Sequence, residues 1–343
     1  MWYDSLLENN LIPDFLIRNE IRKLLTQRLR DEQHGDVEQN QFHFLSLFEK
    51  LKSGPIAVNT AEANEQHYEV PTEFYKYVLG KNLKYSSCYY DTGKESLSEA
   101  EDKMLEITCQ RARLSDGIDI LELGCGWGSL SLYMAKKYPN SNITAVSNST
   151  TQKAYIDTEA EKRGIKNLTI ITANINSFEI DKKFHRVVSV EMFEHMRNYE
   201  ALMDKVANFL LPQGKLFVHI FTHRNYTYLF EVKDETDWMS KYFFTGGTMP
   251  SDYMLLYFQK QLKIEKHWRV NGRHYSQTSE HWLQNMDKHK SEIMPIFEKA
   301  YGKHQAKKWW AYWRIFFMSC AELWGYGGGN EWFVSHYLFT KQN

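Results

Sequence analysis

The spacing of apolar residues changes character along the chain. In DFLIRNEIRKLLTQRLR, Ile17, Ile21, Leu24 and Leu25 recur at helical intervals. This predicts an N-terminal helical segment over residues 1–60, interrupted at Gly54-Pro55. The opposite face carries Arg18, Arg22, Lys23 and Arg30. Such a face suits either a packed helix with a solvated side or an anionic membrane surface.

From residue 118 the pattern shortens. The β-rich runs are DILEL (119–123), ITAVS (143–147), LTIITA (168–173), RVVSVE (186–191) and KLFVHIFT (215–222). Helical sequence follows the first two, around SLSLYMAKKY and TQKAYIDTEAEKR. The alternation predicts an α/β domain, a parallel sheet wrapped by helices. Ligands in such sheets bind beyond the carboxyl ends of the strands. Residues 225–320 break the rhythm with aromatic-rich segments and are expected to form an α-rich cap insertion within a domain spanning 61–343. FFTGGTMPS (243–251) must be a loop, and WFVSHYLFT is expected to close the sheet edge.

Composition refines this picture. The chain has 20 Phe, 21 Tyr and 10 Trp, more than a core needs, so some are expected to line a cavity for a flat or greasy ligand. Thr245–Met249, Trp238, Phe243, Phe244 and Trp332 are candidate walls. Lys plus Arg total 42 against 43 Asp plus Glu, a balance that gives no support for nucleic-acid binding. Cys88, Cys109, Cys125 and Cys320 are scattered without a CxxC pair, which argues against a disulfide framework or metal site and for a reducing cytoplasm. MWYDSLLENN lacks the basic-then-apolar start of a signal peptide, and no apolar run approaches a membrane span. A soluble, cytoplasmic protein is expected, with contact at a membrane surface left open.

Candidate chemistry sits at two strand ends. ILELGCGWG places Glu122, Gly124, Gly126 and Gly128 between a strand and a helix, where glycines allow close backbone approach to a ligand. Its E-x-G-x-G-x-G form differs from the G-x-G-x-x-G of dinucleotide sites. The next strand end reads AVSNSTTQ, with Ser147, Asn148 and Gln152 and no acid for a ribose; neutral groups can bond ribose oxygens instead. EMFEHM (191–196) gathers Glu191, Glu194 and His195. As the start of a helical turn it would put both acids on one face, where each raises the other's pKa.

QHYEVPTEFYKYVLG (66–80), KYSSCYY (84–90), ELGCGWG, AVSNSTTQ, VVSVEMFEHMRNY (187–199) and FFTGGTMPS occur in that order. Together they resemble the cyclopropane-fatty-acid synthase superfamily of S-adenosylmethionine-dependent methyltransferases. The likeness runs from about residue 66 to the C-terminus and is strongest to the coclaurine N-methyltransferase branch. It implies the class I methyltransferase (Rossmann-like) fold, with a seven-stranded mostly parallel sheet and helices on both faces. It also implies roles. Glu191, Glu194 and His195 match the branch's acid/base cluster. Gly124, Gly126, Ser147, Asn148 and Gln152 match cofactor positions, with Glu122 in the same loop. His67 and Tyr68 lie in an element that covers the cofactor, and Tyr85 and Ser86 in a segment on the same side. Asn174 stands where an Asp usually faces the adenine amino group, and Ile175 follows it. The lipid synthases hold bicarbonate with a Cys, a Glu, a His and a Tyr; Glu194, His219 and Tyr275 fall at three of these places and Ser87 at the cysteine's. Those synthases usually carry Gly at 191, whereas the N-methyltransferases carry Glu there and typically lack the counterpart of His219.

Two acceptors therefore stand open. A small amine would be held by Glu191 while Glu194 and His195 handle its proton. An unsaturated phospholipid acyl chain would use bicarbonate held by Glu194, His219 and Tyr275. A third reading, a non-catalytic cofactor-binding protein, has no need of a proton acceptor beside the cofactor.

Overall fold

The computed structural model describes residues 4–58, 71–232 and 237–342. The chain starts with α1 (Asp4–Glu8), α2 (Asp14–Asp31) and α3 (Val37–Lys52). Asp36 caps α3 by accepting the Glu38 and Gln39 N–H groups. Then come α4 (Thr72–Val78) and α5 (Leu97–Arg111), the latter opened by a reciprocal Ser96–Glu99 capping box. The alternating region forms β1 (Asp119–Leu123), α6 (Ser129–Lys137), β2 (Asn142–Ser147), α7 (Thr150–Lys162), β3 (Leu168–Thr172), β4 (Phe184–Val190), α8 (Tyr199–Phe209) and β5 (Leu210–His223). A small two-stranded sheet of β6 (Tyr228–Leu229) and β7 (Thr248–Met249) flanks α9 (Trp238–Tyr242). The chain ends with β8 (Leu262–Val270), α10 (Arg273–Lys288), α11 (Lys290–Tyr301), α12 (Lys303–Gly325) and β9 (Trp332–Lys341).

The main sheet has seven strands in the order β3-β2-β1-β4-β5-β9-β8. β1 to β5 run parallel, β9 lies antiparallel beside β5, and β8, antiparallel to β9, runs in the direction of the first five. This is the class I methyltransferase architecture. The strand order reverses between β1 and β4, so the loops after these two strands flank the crevice where such sheets bind ligands. The glycine loop follows β1 and EMFEHM follows β4. Topology alone thus brings the two sequence signals together.

Two expectations change. WFVSHYLFT does not close the sheet edge; it forms β9, the penultimate strand, and β8 lies outside it. β8 belongs to the sheet although it falls inside 225–320, so that interval is not wholly a helical cap. Its sequence LKIEKHWRV interrupts apolar alternation with Lys263, Glu265 and Lys266, the charged dress of an edge strand. The basic face of α2 is also largely engaged. Arg18 pairs with Glu280 and Glu322, and Arg22 with Glu322, while Ile17 is buried where α2 packs on α12.

Much of the aromatic excess is packing. Phe243 is fully buried and stacks on Phe316, and Trp238 packs against Phe243. Trp332 is buried with its indole N–H donated to Tyr228 Oη. Of the candidate aromatic walls, Phe244 packs against the hexapeptide, its ring centroid 4.8 Å from that of His195. No helix among the described residues is long and apolar enough to cross a membrane.

Candidate active site

A cavity opens at the carboxyl ends of β1, β2 and β4, the place where such sheets bind ligands. The glycine loop forms its floor. Gly124 has φ +80°, and a Cβ there would lie 2.6 Å from Met192. Gly126 has φ +52° and faces open space. Only glycine adopts both conformations without strain. Just before the loop, the Glu122 carboxyl is buried, accepts a hydrogen bond from Ser131 Oγ, and is pushed up to about 7 by burial.

Ser147, Asn148 and Gln152 line the same cavity from the end of β2 and the first turn of α7. Ser147 Oγ donates to Gln152 Oε1 at 2.6 Å and accepts the Ser149 N–H at 3.0 Å. Gln152 Nε2 is then buried with no hydrogen-bond partner among the described residues. A buried amide donor left open at a cavity wall calls for a ligand acceptor. Asn174 and Ile175 line the wall after β3. Asn174 Oδ1 accepts the Asn176 N–H at 2.9 Å, which holds the side chain at the wall. Tyr85 and Ser86 line an adjoining hollow that shares Gly124, Gly126, Gln152 and Glu191 with the main cavity. His67 and Tyr68 lie outside the described residues.

The acidic hexapeptide does not begin a regular helix. Glu191 has φ +47°, a left-handed conformation unusual for a side-chain-bearing residue, and only Phe193–His195 make a 3₁₀ turn. The two acids therefore do not share a helical face. Glu191 turns toward three donors: Ser87 N–H at 2.9 Å and His219 Nε2 at 3.1 Å on Oε1, and Tyr275 O–H at 2.6 Å on Oε2. Burial pushes the Glu191 carboxyl up, while Lys84, Tyr275 and the Ser87 N–H pull against it. Glu194 is fully buried and does not line the cavity. Neither of its oxygens has a hydrogen bond of good geometry among the described residues, although the Glu194 and Phe221 backbone N–H groups favour the charged form. Burial, then the charge of Glu191, drives its pKa well above the carboxylate range. His195 does line the cavity.

The structure thus joins Ser87, His219 and Tyr275, three of the four bicarbonate-cradle positions, around a carboxylate that the chain itself supplies. Glu194, the fourth, is not bonded to them. Sequence reasoning missed Lys84, a buried cation beside Glu191 whose Nζ donates to Ser86 Oγ and the Ser87 carbonyl. It also missed His336, which contacts His219 across β5 and β9. A histidine inside the apolar run WFVSHYLFT was the available signal.

Comparison with known proteins gives the family. The family model for mycolic acid cyclopropane synthetase matches residues 57–326. The chain belongs to that family. It is an S-adenosylmethionine-dependent methyltransferase. An (S)-coclaurine N-methyltransferase of Thalictrum flavum subsp. glaucum is 40% identical over 98% of this chain and 94% of its own length. A pavine N-methyltransferase of the same plant is 34% identical over 98% of this chain and 95% of its own. The crystal structure of a coclaurine N-methyltransferase bound to N-methylheliamine and SAH superimposes with a TM-score of 0.95, at 38% identity and 98% coverage of both chains. The residues present fit the family's cofactor. The glycine floor admits a close ligand, the open Gln152 donor needs an acceptor, and the polar Glu191 carboxyl stands where the two hollows meet.

Proposed function

We propose that this family member methylates the nitrogen of a small cyclic amine. The observation that carries the reading is the placement of the Glu191 carboxylate within the Ser87–His219–Tyr275 cradle, at the cavity wall. The same three donors would be needed to seat bicarbonate, and Glu191 already engages them.

When bound, S-adenosylmethionine supplies an electrophilic methyl group on a sulfonium. The chain's residues must deliver a nitrogen lone pair to it. An alkyl amine arrives mostly as ammonium, which has no lone pair. Glu191 attracts and orients the cation, and His195, on the same wall, accepts its proton. Glu194, within reach of the Glu191 charge in the interior, is the second proton-handling group, its acidity weakened by burial. Thr245 and Gly246 also line the cavity and limit the entry of water.

The test uses purified protein and labelled S-adenosylmethionine, offered heliamine, related cyclic secondary amines, or vesicles of unsaturated phospholipid. Labelled N-methyl amine with unlabelled lipid is the expected result. Labelled acyl chains with untouched amines would overturn the reading.

A further inference from the structure

Behind Glu191 a file of side chains crosses the sheet. Arg111, the last residue of α5, places Nη1 2.8 Å from Nδ1 of His336. His336 Nε2 lies 2.9 Å from Nδ1 of His219, its register partner on the neighbouring strand. His219 Nε2 in turn lies 3.1 Å from Glu191 Oε1. Both imidazoles are fully buried. The guanidinium rests over Trp268 of β8, 5.1 Å from its ring centroid.

The proton directions in this file are fixed by its far end. A guanidinium only donates, so His336 Nδ1 must accept. A neutral His336 then carries its proton on Nε2, aimed at His219 Nδ1. His219 Nδ1 must accept in turn, which leaves the His219 proton on Nε2, aimed at Glu191. Burial holds both rings neutral by driving their pKa values well below the usual histidine range. A doubly protonated ring would also set one N–H against another. Glu191 Oε1, receiving the His219 and Ser87 N–H groups, has no room for a proton. An ionised Glu191 accepts only and asks for the same direction, so Arg111 acts against the reversed file, in which a protonated Glu191 would donate to His219 Nε2.

We propose that Arg111 and His336 are positioning residues for methyl transfer: acting through His219, they select the tautomer that presents Glu191 to the amine as an oriented carboxylate. The catalytic part of this inference rests on the amine reading above. The groups facing Glu191 among the described residues are Lys84, Ser87 and Cys88 from the segment between α4 and α5, Glu194 from the 3₁₀ turn, His219 from β5, Tyr275 from α10 and Cys320 from α12. Lys84 lends charge but spends its hydrogen bonds on Ser86 and Ser87, so the file supplies one of the carboxylate's three direct donors.

The test reads histidine tautomers by nitrogen-15 NMR in the ligand-free protein. His219 and His336 are expected as neutral Nε2–H forms from about pH 6 to about pH 9. Arg111→Met should mix the tautomers of both rings, and Arg111→Lys, which keeps a donor, should restore them. With heliamine as acceptor, Arg111→Met should move the acid limb of kcat/KM up by about one pH unit and lower kcat/KM about tenfold below that limb, with SAH affinity unchanged. A purely structural lesion would scale the profile without moving the limb. An Nδ1–H tautomer at His219 in the wild type would overturn the proposal. So would wild-type tautomers and an unmoved limb in Arg111→Met. If Arg111→Met does not fold, the wild-type tautomers still decide. If heliamine is never methylated, the amine reading fails, and the tautomers judge the file separately.

Discussion

At the scale of single residues, the two acids of the hexapeptide have become different chemical objects. Glu191 accepts three hydrogen bonds, whereas Glu194 is buried without a partner of good geometry among the described residues. Their variants should separate accordingly. Glu191→Gln removes the anion that holds the ammonium and should raise KM for the amine. Glu194→Gln should leave KM and SAH affinity near wild type and lower kcat about 100-fold, the scale of a lost proton-transfer group. Steady-state kinetics with calorimetric SAH binding checks both; equal KM and kcat effects in the two variants would remove the division of labour. Gly124→Ala tests the floor. Its left-handed φ costs a Cβ-bearing residue about 1–2 kcal/mol, and the new methyl meets Met192. SAH affinity should fall by at least about tenfold, and an alanine variant binding SAH normally would contradict the close approach.

At the scale of elements, the legible parts were those with local signals. The β1-to-β5 rhythm and the glycine loop were readable because each strand is apolar, short and bounded by turn residues. β8 was not, because an edge strand alternates with charges and reads as surface helix or loop. The companions of Glu191 were hidden for another reason. Ser87 and Tyr275 lie 104 and 84 residues away in the chain, and no local periodicity records such contacts. Family resemblance marked Tyr275 and His219, but only coordinates show that they converge on Glu191 rather than on Glu194. The end of β5 carries a test of its own. His223 Nδ1 accepts the Asn225 and Tyr226 N–H groups at 3.0 and 2.7 Å, which holds the turn into β6, and burial depresses its pKa to about 3. The unfolded chain binds this proton first, so the stability His223 contributes is present above about pH 6.5 and is lost as pH falls toward 3. His223→Asn keeps an acceptor near the Nδ1 position and removes the titration. Its melting temperature should fall less steeply between about pH 6.5 and about pH 4 than that of the wild type; parallel slopes would mean that His223 titrates normally.

At the scale of the whole molecule, the N-terminal helices brace the helix that supplies Tyr275. Arg314 of α12 is buried and binds Asp14 of α2 through two hydrogen bonds at 2.9 and 2.7 Å. It also binds Asp287 of α10 at 2.7 and 3.0 Å. Arg18 adds a second tie from α2 to Glu280 on α10 and Glu322 on α12. One guanidinium thus joins three helices, including the one whose first turn carries Tyr275 to Glu191. Asp14 and Asp287 are a little over two-fifths exposed, so they can rehydrate when the arginine is removed. Arg314→Leu should therefore cost about 1–3 kcal/mol rather than the larger penalty of a fully buried orphan charge. The Arg314 hydrogen bond lowers the Asp14 pKa, so this contribution is present above the usual carboxylate value and fades as pH falls below it. Urea unfolding should show the loss at neutral pH and a smaller difference in acid. Because α10 is only loosened at its outer contacts, kcat should change by less than about threefold while KM for the amine rises. A variant as stable as the wild type at neutral pH would show that the clasp is incidental. One that is destabilised equally at acid and neutral pH would locate its effect in packing rather than in the charge pair.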